Sequence, residues 1–181
     1  MVGWTGPTTF IAYSWRPDCG YEDLRTFGIV TKQETVWYSG AFDAAAWSPT
    51  GQSLLIVVGD YHGFSVCQVI DPGLYLSTPA KPTPRMIGPV SSSDSYQVQW
   101  SPAAKQFFLE EDGNGGVSVG VFSIKPDGTK AGNWPMPTMP SVSPDAKNMA
   151  WIEDGVLNIS DVQNFSAVNV AENVQSVAWV P

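Results

Sequence analysis

A short motif recurs along this chain of 181 residues and narrows the folds that are open to it. The motif is an apolar run, a tryptophan, a small or hydroxyl residue, and a proline followed by a turn residue. It reads WTGP, WSPTG and WSPAA, then VSPDA with valine in place of tryptophan, and returns as WVP. The mean spacing of its anchors is about 44 residues, which is typical of repeat architectures, and the anchors are Trp4, Trp47, Trp100, Val142 and Trp179.

Three strand-like runs follow each anchor and are rich in β-branched and aromatic residues, as strands are. The second strands are predicted at 9–15, 53–58, 106–110 and 148–152, the third at 24–30, 73–77, 119–124 and 156–160, and the fourth at 34–38, 85–87, 132–134 and 167–170. Turn signals separate them, with 17 glycines and 15 prolines in the chain. Four short strands per repeat of this length predict the blade of a β-propeller.

The fold class predicted is therefore all-β, a propeller of about four four-stranded blades that is incomplete or half of a ring. The chain reads as one domain, 1–181, with blades at 1–40, 41–89, 94–136 and 139–171 and a further inner strand at 174–181. An open arc would leave two apolar blade faces, so self-association through them is expected. The alternative is a β-sandwich in which the tryptophan spacing is accidental.

The motifs WSPTG, WSPAA and VSPDA, each followed by an apolar strand, resemble the WSPDG-type repeats of TolB-like, WD-repeat-like bacterial β-propellers. The resemblance covers nearly the whole chain, although the first repeat places Pro7 one position late and the fourth lacks the tryptophan. It implies a binding scaffold of the bacterial envelope or cell surface, or a propeller beside a peptidase domain. No catalytic residue is carried over, because the shared motif is structural and a fold does not define a function.

Composition excludes several classes of function. The net charge is −8 and the nine basic residues are scattered, whereas a nucleic-acid-binding protein needs a basic stripe. No apolar run is long enough for a membrane span, and the first ten residues do not predict a secretory signal. A position in the envelope or outside the cell is expected only if the chain belongs to a longer secreted protein.

No constellation of catalytic or metal-binding residues is evident. His62 is the one histidine, which argues against a catalytic triad or a zinc site with cysteine. Cys19 and Cys67 fit no metal spacing, and the sequence leaves open whether they are bonded. We therefore predict no catalytic residue, no metal site and no cofactor, apart from weak calcium binding at the loop EEDGNGG of residues 110–116, which a plain hairpin would also explain.

Candidate ligand-binding residues lie where the second strand of a blade turns into the third. They are Asp60, Tyr61 and His62 in the second repeat and Glu110, Glu111 and Asp112 in the third. Other acids fall on the same end of the blades if successive strands alternate in direction, namely Asp18, Glu22, Asp23, Asp43, Asp71, Asp94, Glu153, Asp154 and Glu172. Arg16 and Arg25 are the two cations at or next to this end, and the opposite end would carry four acids together with Lys32, Lys81, Arg85, Lys105, Lys125, Lys130 and Lys147.

The function predicted is a non-enzymatic β-propeller scaffold or binding module whose partner, a protein or a polysaccharide, docks on this acidic set of loops. One-sided negative charge favours a cationic partner. The alternative is a propeller hydrolase of the glycosidase type, or the accessory propeller of a peptidase. A glycosidase needs two carboxyl groups facing each other across a cleft, which a sequence does not show.

Overall fold

The computed structural model describes residues 3–6, 8–16, 20–48, 53–59, 71–78, 81–90, 95–113, 117–134 and 138–179. Within these ranges the chain forms sixteen β-strands and no helix, so no helix of the described chain could cross a membrane. The strands form four antiparallel sheets of four strands each, and none of the sheets closes on itself. The all-β prediction and the predicted number of blades are confirmed.

We call the four sheets blades 1 to 4 in chain order; the last strand of blade 1 runs to Phe42, two residues past the predicted boundary at 40. Blade 1 contains β1 (Gly3–Gly6), β2 (Thr9–Arg16), β3 (Gly20–Gly28) and β4 (Glu34–Phe42); blade 2 contains β5 (Ala44–Ser48), β6 (Ser53–Val58), β7 (Gly73–Thr78) and β8 (Lys81–Gly88). Blade 3 contains β9 (Ser95–Ser101), β10 (Gln106–Gly113), β11 (Val117–Ile124) and β12 (Lys130–Trp134); blade 4 contains β13 (Ser141–Val142), β14 (Asn148–Glu153), β15 (Val156–Asp161) and β16 (Val168–Ala171). Sequential strands are neighbours in every blade, as a meander requires.

The blades pack face to face because their middle strands are apolar on both sides. In β6 all six residues are buried. Leu54, Ile56 and Val58 join a core shared with blade 1, which includes Leu24 and Phe42. Leu55 and Val57 point the other way, into a core shared with blade 3, which includes Phe107 and Leu109. A strand that is buried on both faces needs apolar side chains at successive positions, which explains the sequence SLLIVV of β6.

The third core joins blades 3 and 4. Phe108 and Trp134 of blade 3 are buried with Met149 and Trp151 of blade 4. The rings of Phe108 and Trp134 stack with centroids 5.5 Å apart. One side of β10 thus faces blade 2 and the other faces blade 4, which orders the four blades in space as they are ordered in sequence.

The motif tryptophans Trp47 and Trp100 lie near the ends of the inner strands β5 and β9. Trp47 packs against the core of blades 1 and 2, and Trp100 packs against the core of blades 2 and 3. Both side chains are only partly buried, however, so they close the inner margins of these cores and do not form their centres. The side chain of Trp4 is outside the described part of the structure.

Residues 174–179, where a fifth inner strand is predicted, have no strand pairing in the structure. The segment follows blade 4 and is held by two hydrogen bonds. The backbone nitrogen of Val174 donates to the carbonyl oxygen of Gly155 at 2.8 Å. Trp179 Nε1 donates to the carbonyl oxygen of Ser141 in β13 at 3.0 Å. The last motif tryptophan therefore contacts the inner strand of blade 4 without extending a sheet.

The antiparallel order gives the arc two ends. One end carries the connections from second to third strands and from one blade to the next; we call it the acidic end. The other carries the connections from first to second and from third to fourth strands; we call it the basic end. At the basic end, Ser53 Oγ donates to Pro126 O at 3.1 Å and Arg85 Nη2 donates to Asp127 O at 2.7 Å, which ties blade 2 to blade 3.

Candidate binding site

A cavity of about 480 Å³ lies beside the inner strands β5 and β9, and we call it the inner cavity. Ala44, Ala45 and Ala46 at the start of β5 line it with small side chains. Residues of β9 line it from Tyr96 to Trp100. The opposite wall comes from blade 1, so three blades contribute to one site.

The blade 1 wall is aromatic. Tyr13, Tyr21 and Phe42 line the cavity. The ring centroids of Tyr13 and Tyr21 are 4.5 Å apart and their planes are tilted by 59°. Tyr21 lies 5.7 Å from Phe42, and Tyr13 meets Phe42 edge to face at 6.2 Å. Each ring contacts the other two, and aromatic pairs at these distances attract one another.

The two motif tryptophans, Trp47 of β5 and Trp100 of β9, also line the cavity. Trp47 meets Trp37 edge to face with centroids 5.3 Å apart, and Trp100 meets Phe107 in the same manner at 4.9 Å. The Nε1 atoms of Trp47 and Trp100 are buried and find no acceptor among the described residues. An unpaired buried donor costs free energy. The positions of these two indole rings are therefore explained by their packing contacts and not by hydrogen bonds.

The polar groups of the lining are few. Asp43 is the one carboxylate, and no lysine, arginine or histidine occurs among the lining residues that the structure describes. Gln99 Nε2 donates to Pro140 O of the next blade at 2.8 Å, so this amide is engaged. Tyr21, which is 38% exposed, and Gln97 are the two exposed lining residues and mark the opening of the cavity.

A second cavity of about 440 Å³ lies between blades 3 and 4. Trp100 and Gln99 line it from blade 3, and Met139 and Trp151 line it from the side of blade 4. Trp100 thus separates the two cavities. Val177 also lines this space, so the segment after blade 4 lies over it.

Two carboxylates, those of Asp23 and Asp43, act electrostatically on the buried Tyr38 of blade 1. Burial acts to raise the pKa of Asp23, but hydrogen bonds from Arg25 Nη2 at 2.8 Å and Ser39 Oγ at 2.7 Å hold that pKa below its usual value. Burial raises the pKa of Tyr38, and the nearby Tyr75 and the charges of Asp23 and Asp43 raise it further. The hydroxyl of Tyr38 donates to Ala41 O at 2.9 Å and stays protonated.

The sequence-predicted site residues are only partly described. Asp60, Tyr61 and His62 lie outside the described residues, as do Cys19 and Cys67. Glu110 belongs to a strand and not to a loop, because β10 continues through residue 113. Its side chain is 5% exposed, and Glu110 Oε2 accepts a hydrogen bond from the backbone nitrogen of Met139 at 2.9 Å. This carboxylate therefore joins blade 3 to the connection that leads into blade 4.

The other two candidate residues of this strand, Glu111 and Asp112, lie closer to the acidic end. Glu111 is half-buried, and Asp112 is placed by its backbone in β10, where the pairing with β11 shifts register between these two residues. No group of three or more acidic, histidine or cysteine side chains that could hold a metal ion occurs among the described residues. Weak calcium binding at this loop stays a prediction.

Sequence reasoning did not find the aromatic wall of the inner cavity. Tyr13 and Tyr21 stand 23 or more positions before the alanines of β5 in the same chain, so nothing local links them. One signal was present, because the run Ala44–Ala46 places three small side chains on an inner strand beside a tryptophan. The corresponding positions of β9 carry larger side chains.

Blades of this kind arranged side by side around their inner strands define a protein of the β-propeller class. The chain is similar to the solved structure of TolB from Acinetobacter baumannii, with a TM-score of 0.57 and 15% identity over 91% of this chain and 41% of that one. It is similar to oligogalacturonate lyase from Vibrio parahaemolyticus, with a TM-score of 0.62 and 13% identity over 93% of this chain and 52% of that one.

An auxiliary nutrient binding protein from Bacteroides thetaiotaomicron gives a TM-score of 0.56 and 9% identity over 97% of this chain and 42% of that one. At these identities the likeness concerns the fold alone. The chain spans about half, or less than half, of the length of these structures. No protein-family model and no curated protein sequence matches it.

Proposed function

We propose that this chain is a non-catalytic binding module with a β-propeller fold, and that a cationic partner docks on its acidic end. The observation that carries the proposal is the separation of charge along the blades. By strand position, the described acids Glu22, Asp23, Asp43, Asp71, Glu111, Asp112, Glu153, Asp154 and Glu172 lie at the acidic end. Seven of the nine cations lie by strand position at or toward the basic end, namely Lys32, Lys81, Arg85, Lys105, Lys125, Lys130 and Lys147. Arg16 ends β2 at the acidic end and Arg25 lies within β3, and the basic end also holds four acids, Glu34, Asp127, Asp145 and Asp161.

Some of these acids serve the fold itself. Asp23 pairs with Arg25, which also pairs with Glu34. Others are free to meet a partner. Glu153 and Asp154 are exposed at the β14–β15 hairpin, where Asp154 and Gly155 both have positive φ, and Glu172 is exposed at the end of β16. An Asp-Gly pair in this conformation makes a tight two-residue turn, which presents these carboxylates at the tip of blade 4.

The likeness to TolB and to a nutrient binding protein supports a binding role, since propellers of this kind serve as scaffolds on which a site is built. Clustered charge of one sign raises the local concentration of oppositely charged groups and speeds association. A bacterial envelope or surface protein is the setting we propose for such a module, on the resemblance of its repeats.

The glycosidase alternative finds less support. Two carboxyl groups must flank a scissile bond, and Asp43 is the one carboxylate among the described residues of the inner cavity. Hydrolysis of neutral and uronic oligosaccharides by the purified protein, lost in Asp43→Asn, would favour that alternative over our proposal.

The proposal is tested by titrating the protein with fluorescent oligolysine and with fluorescent oligoglutamate. We expect oligolysine to bind and oligoglutamate not to bind. Raising the ionic strength from about 0.01 M to about 1 M shortens the screening length from about 30 Å to about 3 Å and should abolish the binding. Oligolysine that does not bind at low salt, or binds equally at high salt, would contradict the proposal. A parallel titration with Ca²⁺ tests whether the same carboxylates hold that ion.

A further inference from the structure

We propose that the inner cavity is the binding site for an organic cation, an ammonium or guanidinium group carried on an apolar stem. This rests on the proposed function: the group would be the deepest contact of the cationic partner, such as the end of a lysine or arginine side chain. The inference concerns the cavity alone, whereas the proposed function concerns the exposed carboxylates around it.

The aromatic walls are the first argument. The face of an aromatic ring carries partial negative charge and attracts cations, most strongly where water is excluded. Tyr13, Tyr21 and Phe42 meet at different angles, so rings on one wall present surface in more than one direction. Trp47 and Trp100 add two indole rings to the lining. A cation on an apolar stem matches both the rings and the aliphatic floor of alanines.

The charge of the lining is the second argument. Asp43 supplies a carboxylate, and the described lining supplies no basic side chain. An anionic sugar such as an oligogalacturonate would enter a negative field without a counter-charge, and burying an unpaired charge is costly. A cation would be attracted by the ring faces, by the Asp43 carboxylate and by the negative charges of the acidic end.

Size and access are the third argument. A volume of about 480 Å³ falls within the roughly 300–1,000 Å³ of small-molecule sites. Tyr21 marks the opening and lies at the start of β3, on the acidic end of blade 1. A side chain that enters there would leave its own backbone beside the exposed carboxylates. The cavity and the acidic end can therefore contact one partner together.

The test uses choline and its uncharged analogue 3,3-dimethylbutan-1-ol, which have nearly the same shape. Binding is followed by the tryptophan fluorescence of the whole protein, because Trp47 and Trp100 line the cavity, and by calorimetry. We expect choline to bind about tenfold more tightly than the alcohol, because only choline gains a cation–π contribution from the aromatic rings. Equal affinities would overturn the proposal.

Three variants locate the site. Tyr21→Leu removes an exposed ring and should weaken choline binding several-fold, while Tyr21→Phe keeps the ring and should not. Asp43→Asn removes the charge and should also weaken it. Asp145→Asn, which removes a charge at the basic end, is the matched control and should bind choline as the unchanged protein does. Thermal unfolding of each variant verifies that it is folded.

The outcomes separate this proposal from the proposed function. Oligolysine binding with no choline binding would overturn the cavity site and leave the function standing. Choline binding that depends on Tyr21 and Asp43, without oligolysine binding, would support the cavity site and contradict the function. Tight binding of an oligogalacturonate that competes with choline would overturn the cavity proposal, because the site would then prefer an anion.

Discussion

The carboxylate of Asp43 occupies the space that a Cβ atom on Gly59 would take. Gly59 follows β6, and the backbone nitrogen of Asp43 donates to Val57 O at 2.9 Å, so the two segments are held side by side. Only a glycine at position 59 leaves the carboxylate where it is. The geometry of one residue in blade 2 thus sets the position of the charged group at the inner cavity.

We predict that Gly59→Ala displaces the Asp43 carboxylate and weakens choline binding several-fold. The protein should remain folded, because the displaced atoms are the end of a side chain that can turn away. Calorimetric titration with choline measures the effect. Gly88→Ala is the control, since a Cβ there meets nothing within 4 Å. Unchanged choline affinity in Gly59→Ala would mean that Asp43 does not contact the ligand.

We predict that Glu110 contributes to the free energy of unfolding through its hydrogen bond from Met139. Replacing it by alanine removes the acceptor of the Met139 backbone nitrogen and leaves a donor unpaired in a part-buried position. The cost is about 1–3 kcal/mol, measured by urea unfolding. Glu110→Gln keeps an acceptor oxygen and should lose less. A fall in oligolysine affinity in Glu110→Gln, with stability intact, would instead support the predicted role of Glu110 in ligand binding.

The tryptophans are predicted to differ in their contribution to folding. Trp151 is 3% exposed and stacks on Phe165 at 5.5 Å, whereas Trp47 is only partly buried at a cavity wall. Trp151→Ala should therefore cost about 3–5 kcal/mol, the range for a fully buried large aromatic, and Trp47→Ala should cost less. Chemical denaturation of the two variants gives the order, and a larger loss for Trp47 would contradict this packing.

Alkaline pH should destabilise the protein partly through Tyr38. Its pKa is raised in the folded state, so the unfolded chain ionises first, near pH 10. Ionisation of Tyr38 then favours the unfolded chain, so the free energy of unfolding falls as the pH rises above about 10. Tyr38→Phe does not ionise but lacks the bond to Ala41, so it should be less stable at neutral pH. The two unfolding free energies should converge above pH 10; a constant difference would contradict the raised pKa.

The blades were predictable because their signals are local. Strand patterns and turn residues within one repeat placed β6 at Ser53–Val58, as found, and the other strands within a few residues. Misplaced boundaries have physical reasons. The run EEDGNGG contains turn residues, yet β10 continues to Gly113. Glu110 to Asp112 pair with both β9 and β11, Gly113 pairs with β11 alone, and the pairing with β11 shifts register after Glu111.

The candidate site was not predictable in the same way. Tyr13, Phe42, Ala45 and Trp100 come from three blades, and their meeting depends on how whole sheets pack. Charge separation was accessible, because alternation of strand direction in a meander fixes which end each loop occupies. Asp60 and His62, which lie outside the described residues, stay a prediction.

The central claim is that a cationic partner binds the acidic end, and two variants of equal net charge test it most directly. E153Q/D154N/E172Q removes three exposed acids at the acidic end. D127N/D145N/D161N removes three at the basic end and keeps the oxygen atoms that accept the turn hydrogen bonds of Thr129, Lys147 and Gln163. In low-salt titrations with oligolysine, we predict that the first variant loses affinity and the second keeps it. Equal losses in the two variants would show that net charge alone attracts the peptide, and would contradict a binding surface at the acidic end.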